Sequence, residues 1–122
     1  MRAAHPGWLK CRTVRQQGQE RLASLVAYHS GARFEAEERG LIDALAEFTP
    51  EDGPLLDALT CADMTTGPAG QPVDLEERIA EILKRYPPDD PVHRAVSRSY
   101  PVLREAVDRT RARLAAVADQ PM

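Results

Sequence analysis

From Gln19 onward, apolar residues recur at three- and four-residue spacing, and no stretch shows the two-residue alternation of a half-buried strand. The clearest case is the segment 74–86, where Leu75, Ile79, Ile82, Leu83 and Tyr86 fall on one helical face. Asp74 stands at the cap position and Glu77, three residues on, completes a capping-box-like start. Pro87-Pro88-Asp89-Asp90-Pro91 cannot continue that helix, because proline lacks the backbone donor and its ring clashes with the preceding turn. An all-α fold follows from this pattern.

The same reading places the other helices. Leu22, Leu25, Val26 and His29 predict a helix from about Gln19, closed by Ser30-Gly31, where glycine suits the left-handed position after a helix end. The charged segment Arg33–Arg39 leads into a second stripe of Leu41, Ile42, Leu45 and Phe48. Thr49-Pro50-Glu51-Asp52 is a start signal that Gly53-Pro54 interrupts, so a helix is predicted over 54–64 with Leu55, Leu56, Leu59 and Ala62 inward. The Thr-, Gly- and Pro-rich stretch 65–72 reads as a loop. Val92, Ala95, Val96 and Ser99 predict a short helix, and Pro101 opens a last one running to about Ala118 through Leu103, Ala106, Val107, Thr110, Leu114 and Val117. The expected architecture is a compact bundle of five or six helices.

Length and composition fit one small helical domain. The chain has 122 residues with 18 alanines and only 5% aromatics, which favours helices packed through small and aliphatic side chains. The net charge of −3 argues against a general nucleic-acid binder. No apolar run approaches the roughly 18 to 20 residues of a membrane span or forms the core of a signal peptide, so a cytoplasmic protein with no membrane partner is expected. Fourteen arginines against two lysines, with the alanine excess, suggest coding bias of a high-GC genome. Cys11 and Cys61 are far apart in a chain without an export signal, and both are expected as reduced, partly buried thiols.

Charge divides the chain unevenly. Residues 1–19 hold Arg2, Lys10, Arg12 and Arg15 and no acid, whereas residues 20–122 hold 12 bases and 19 acids. The leading piece, with Pro6, Gly7 and Gly18 and no sustained apolar period, is expected as an irregular basic arm or a short irregular helix. The helical domain is expected over 20–122.

Neither a phosphate-binding loop, a nucleophile elbow, a CxxC pair nor an HExxH motif occurs, which removes most motif-borne enzyme classes. What remains is a matter of placement. His29 lies four residues after Leu25 and Asp63 four after Leu59, so both are expected on core-facing stripes. A carboxylate on such a face needs a partner or a cation, and one near a helix C-terminus faces an unfavourable dipole. Two plainer roles stay open. His29 can bond the last carbonyls of its helix, and Asp63 can cap residues 64–66 or pair with an arginine. His93, beside Arg94 at a helix start, is expected to be exposed, and Arg94 with Arg98 could hold an anion or simply form a solvated face.

Three segments carry a family resemblance: Leu25-Val26-Ala27-Tyr28-His29-Ser30-Gly31-Ala32, then Arg33 to Gly40, then Leu55 to Pro68 with its run Ala62-Asp63-Met64-Thr65-Thr66-Gly67. They resemble the C-terminal part of bacterial HD-domain proteins, the metal-dependent phosphohydrolases. The likeness extends through Val73 to about Leu114, including Pro91-Val92-His93-Arg94. It implies a truncated HD-like fold in which Asp63 matches the closing metal-ligand aspartate and His29 an additional metal or phosphate ligand. His5, before Pro6, corresponds less closely to a further histidine. The implied cofactor is a divalent metal, Mn, Fe or Mg, and the implied substrate a phosphate ester or nucleotide.

The family's defining His-Asp pair is missing, since none of His5, His29 and His93 precedes an aspartate. Activated water needs several fixed metal ligands, so the chain is expected to be degenerate or inactive as a hydrolase on its own. The early helices of the pattern are also missing ahead of Gln19, as a truncation, a frameshift or a misassigned start would leave them. Apolar faces uncovered in that way predict a homodimer, and a non-catalytic helical interaction or dimerisation module is the alternative expectation.

Overall fold

The computed structural model describes residues 6–119, with side chains from Cys11 onward, and is all-α. The helices are α1 (Pro6–Gln16), α2 (Glu20–Tyr28), α3 (Ala32–Arg39), the single turn α4 (Ile42–Leu45), α5 (Pro54–Met64), α6 (Leu75–Arg85) and α7 (Pro91–Ala118). A 3-10 turn, His29–Gly31, joins α2 to α3. Among the described residues the only β pairing is an isolated bridge between Thr66 and Pro72, which closes the predicted 65–72 loop. Six of the described helices have eight residues or more, in keeping with the expected bundle.

Two clusters of side chains form the core. One gathers Cys11, Ala23, Ala27, Ala36, Leu45 and Phe48 from the N-terminal half. Its alanines let α1 and α2 approach closely, and Phe48, fully buried, fills the space below them. The Tyr28 hydroxyl donates into the carbonyls of Phe48 and Leu45, at 2.7 and 3.1 Å, which fixes the chain after α4. The second cluster gathers Met64, Leu75, Ile79, Ile82, Leu103 and Val107, uniting α5, α6 and α7.

The basic leading segment contains the helix α1, with Cys11 only 1% exposed. Its charge imbalance has a local resolution. Arg15 forms ion pairs with Glu20 and Glu47 and lies 4.1 Å over the Phe48 ring, while Arg12 pairs with Glu47.

Three helices differ from their sequence expectation. The charged segment 33–39 is the helix α3, whereas the apolar stripe after it supports only the turn α4. In α3 a single small residue, Ala36, is buried, and Glu37 and Glu38 reach Arg98 and Arg94 of α7. That ion-pair fringe replaces the apolar stripe by which a packed helix is normally recognised.

The second difference is α7, one helix of 28 residues where two were expected. Asp90 caps it by accepting a hydrogen bond from the Val92 amide at 2.8 Å, and Pro91 occupies the first turn, where its missing donor costs nothing. Pro101 removes the bond to the Ser97 carbonyl, a loss typically worth about 3 kcal/mol in a helix interior. The helix continues because both flanks are packed, Ala95 and Ser99 before the proline and Leu103, Ala106 and Val107 after it.

Third, the inward face of α5 is rotated by one residue. Asp57, Thr60 and Met64 are buried, whereas Leu55 is 50% exposed. Rotation carries Asp63 off the core face.

Candidate functional site

The chain leaves α2 through a left-handed turn in which both Ser30 (φ 55°) and Gly31 (φ 68°) adopt positive φ. A Cβ at position 31 would stand 3.0 Å from the Ser99 Cβ of α7, so glycine is required for closeness as well as for conformation. Serine is strained here, and two bonds to α5 hold it. The Ser30 amide donates to Thr60 Oγ1 at 3.0 Å, and Ser30 Oγ donates to Asp63 Oδ2 at 2.6 Å.

That turn carries His29 to the end of α5. The His29 Nδ1 lies 2.6 Å from the Val26 carbonyl. Since a carbonyl can only accept, Nδ1 holds a proton, and Nε2 faces outward toward Asp63 Oδ2 at 3.7 Å. Two of the sequence-predicted residues are thus brought together. Their setting differs from expectation, because the Asp63 carboxylate is 42% exposed at a rim and not seated on the core face. His5 lies outside the described residues.

The rim belongs to a cavity of about 310 Å³ enclosed by the ends of α2 and α5 and by α3, α6 and α7. Met64, Ile82, Val96 and Leu103 give it an apolar wall, and its charged lining is Glu35, Arg39, Asp63, Arg78 and Arg85. Arg39 is paired with Glu35 and Arg85 with Glu81. Arg78 differs from both. It shares the inward stripe of α6 with Leu75 and Ile82, and its buried Nε has no hydrogen-bond acceptor among the described residues.

Two neighbouring ligands at about 2.1 Å from an octahedral ion such as Mg²⁺ or Mn²⁺ stand roughly 3.0 Å apart, so His29 Nε2 and Asp63 Oδ2, at 3.7 Å, would have to draw together to share one. The Nδ1 bond to a backbone carbonyl is the outer contact that fixes a metal-ligating histidine. A catalytic ion takes three protein ligands and keeps one position open, and no group of three His, Cys, Asp or Glu side chains able to surround an ion occurs among the described residues. Among the described residues, His29 and Asp63 are thus two candidate ligands at one edge of the cavity. No hydrolytic step follows from this arrangement.

The remaining candidates have structural partners. His93, expected to be exposed, is half-buried and bonds the Tyr86 carbonyl through Nδ1 at 2.8 Å. Arg94 and Arg98 are occupied by Glu38 and Glu37. Cys11 and Cys61 are both free thiols, and burial raises the pKa of Cys11.

Asp57 is the acid that the sequence reading missed. It is 6% exposed and receives a bidentate pair of bonds from Arg109 at 2.9 Å, with a third from Arg113 at 2.7 Å. Arg109 and Arg113, four residues apart on α7, form the signal that could have located it.

No protein-family model matches the chain, and no curated protein and no solved structure matches it.

The Asp57 carboxyl lies below the usual carboxylate range, chiefly through its bonds to Arg109 and then Arg113, which outweigh its burial. A depressed acid stabilises the fold above its unfolded-state pKa of about 3.9, and that contribution is lost as pH falls through the lower folded value. Asp57→Asn is expected to lower stability at pH 7 by about 1–3 kcal/mol, because both arginines are half-exposed and re-solvate. Denaturant melts at pH 7 and pH 3 would show the gap between wild type and variant narrowing in acid. A gap that is constant across that range would contradict the assignment.

Proposed function

We propose that this chain is a helical protein related to the HD-type metal-dependent phosphohydrolases, which binds a phosphorylated small molecule in the α2–α3–α6–α7 cavity and a divalent cation at its rim. His29 and Asp63 would be the cation ligands, with Mn, Fe or Mg as the candidate ions. The observation that carries the reading is the His29 ring, whose Nδ1 is tied to Val26 while Nε2 is turned to Asp63 Oδ2 at 3.7 Å. With two ligands among the described residues, the expected outcome is binding without hydrolysis.

A titration with Mn²⁺ followed by thermal melting tests this. A native-state ligand at a hundredfold excess over its dissociation constant stabilises by about 2.7 kcal/mol, and His29→Ala and Asp63→Ala should each remove the shift. Hydrolysis of a generic phosphate monoester should stay at the buffer rate with Mn²⁺ present. An unmoved melting point, or a shift that survives both substitutions, would contradict the cation site.

One observation favours a second reading, a helical dimerisation module. Leu114 and Val117 continue the spacing of the buried Leu103 and Val107 along α7, yet are 63% and 66% exposed. A stripe that runs from core into solvent suits helix-to-helix pairing with a second copy. Light scattering at micromolar concentration should then give a dimer mass that Leu114→Glu with Val117→Glu reduces to a monomer. A monomer in the unsubstituted protein would contradict it.

A further inference from the structure

We propose that Arg78 is the seat of the ligand's phosphoryl group, gripped through the guanidinium Nε–H inside the cavity. The inference rests on the phosphorylated-ligand reading above, but not on the cation.

Position is the first argument. Arg78 follows Leu75 by three residues and precedes Ile82 by four, so it occupies a place on α6 that its neighbours fill with buried aliphatic side chains. A guanidinium there stands in a row of aliphatic side chains. The second argument is its missing acceptor. Nε is the one buried side-chain nitrogen or oxygen among the described residues without a hydrogen-bond partner, and buried polar groups are otherwise almost always satisfied. Nε is closed to solvent in this structure, so an oxyanion drawn to the guanidinium supplies the acceptor once the side chain turns toward the cavity.

Charge and shape narrow the class. Three arginines and two carboxylates line the cavity, and Arg39 and Arg85 are already paired, which leaves Arg78 as the cation without a carboxylate among the described residues. A planar guanidinium presents adjacent donors to a tetrahedral oxyanion, whereas an ammonium is a point charge. The apolar wall of Met64, Ile82, Val96 and Leu103 then receives an uncharged organic portion. Taken with the phosphorylated ligand of the proposed function, this makes the ligand a phosphate monoester with an apolar or aromatic group.

Calorimetric titration of the purified chain with phenyl phosphate in EDTA tests the assignment, with phenol at equal concentration as the comparison. Phenyl phosphate should bind without metal and phenol at least tenfold more weakly. Arg78→Gln should weaken phenyl phosphate binding at least tenfold. Arg78→Lys, which keeps charge and stem but has no donor at the Nε position, should do the same. Circular dichroism melting of both variants without ligand should match or exceed wild type, because the unsatisfied donor is gone. Phenyl phosphate that fails to bind, phenol that binds equally, or either variant retaining affinity within twofold would overturn the proposal. EDTA separates the two readings, since failure of Mn²⁺ at His29 and Asp63 leaves this result unchanged.

Discussion

The left-handed turn at Ser30-Gly31 is the constraint on which the rest of the molecule depends. It ends α2, leads the chain into α3, and approaches Ser99 of α7 so closely that a Cβ at position 31 would stand only 3.0 Å from the Ser99 Cβ. Two hydrogen bonds from Ser30 then lock it to Thr60 and Asp63 on α5. Four helices are therefore fixed relative to one another by two residues in a conformation that one of them, serine, adopts only under constraint. The position of His29 opposite Asp63 follows from that turn and not from helical periodicity.

Around this point the molecule is held by unlike means on its two sides. The α5–α6–α7 side has an aliphatic core of ordinary kind, with Leu75, Leu103 and Val107 fully buried. The α1–α2–α3 side is built on alanine, one phenylalanine and a fringe of arginine–glutamate pairs, most of them too exposed to contribute much individually. The cavity lies where the two meet. Met64 at the end of α5 and Ile82, Val96 and Leu103 of α6 and α7 make its wall apolar, while its charged lining comes from Glu35 and Arg39 of α3, Asp63 of α5, and Arg78 and Arg85 of α6.

Much of this was legible in the sequence. Helical spacing and proline and glycine punctuation located α2, α5 and α6 and excluded sheet. Ser30-Gly31 marks the turn, and the spacing points to both His29 and Asp63. What escaped depends on tertiary packing. The phase of α5 was misread because leucines at 55, 56 and 59 outweigh Asp57 in any hydrophobic pattern, whereas the fold buries Asp57 against two arginines 52 and 56 residues away. Nothing in the spacing distinguishes Arg78, because only the fold buries its Nε without an acceptor. The joining of two helices across Pro101 was unreadable because the proline penalty is local, and the packing on both flanks that overrides it is not.

The central claim is that the fold holds His29 with Nδ1 protonated and Nε2 presented toward Asp63. Long-range proton–nitrogen NMR of the imidazoles, at a pH above histidine titration, tests it most directly. His29 should be the Nδ1–H tautomer, the less common form of a free imidazole, and its Nε2 resonance should broaden when paramagnetic Mn²⁺ is added. A His29 ring protonated at Nε2, or an Nε2 resonance indifferent to the ion, would contradict it.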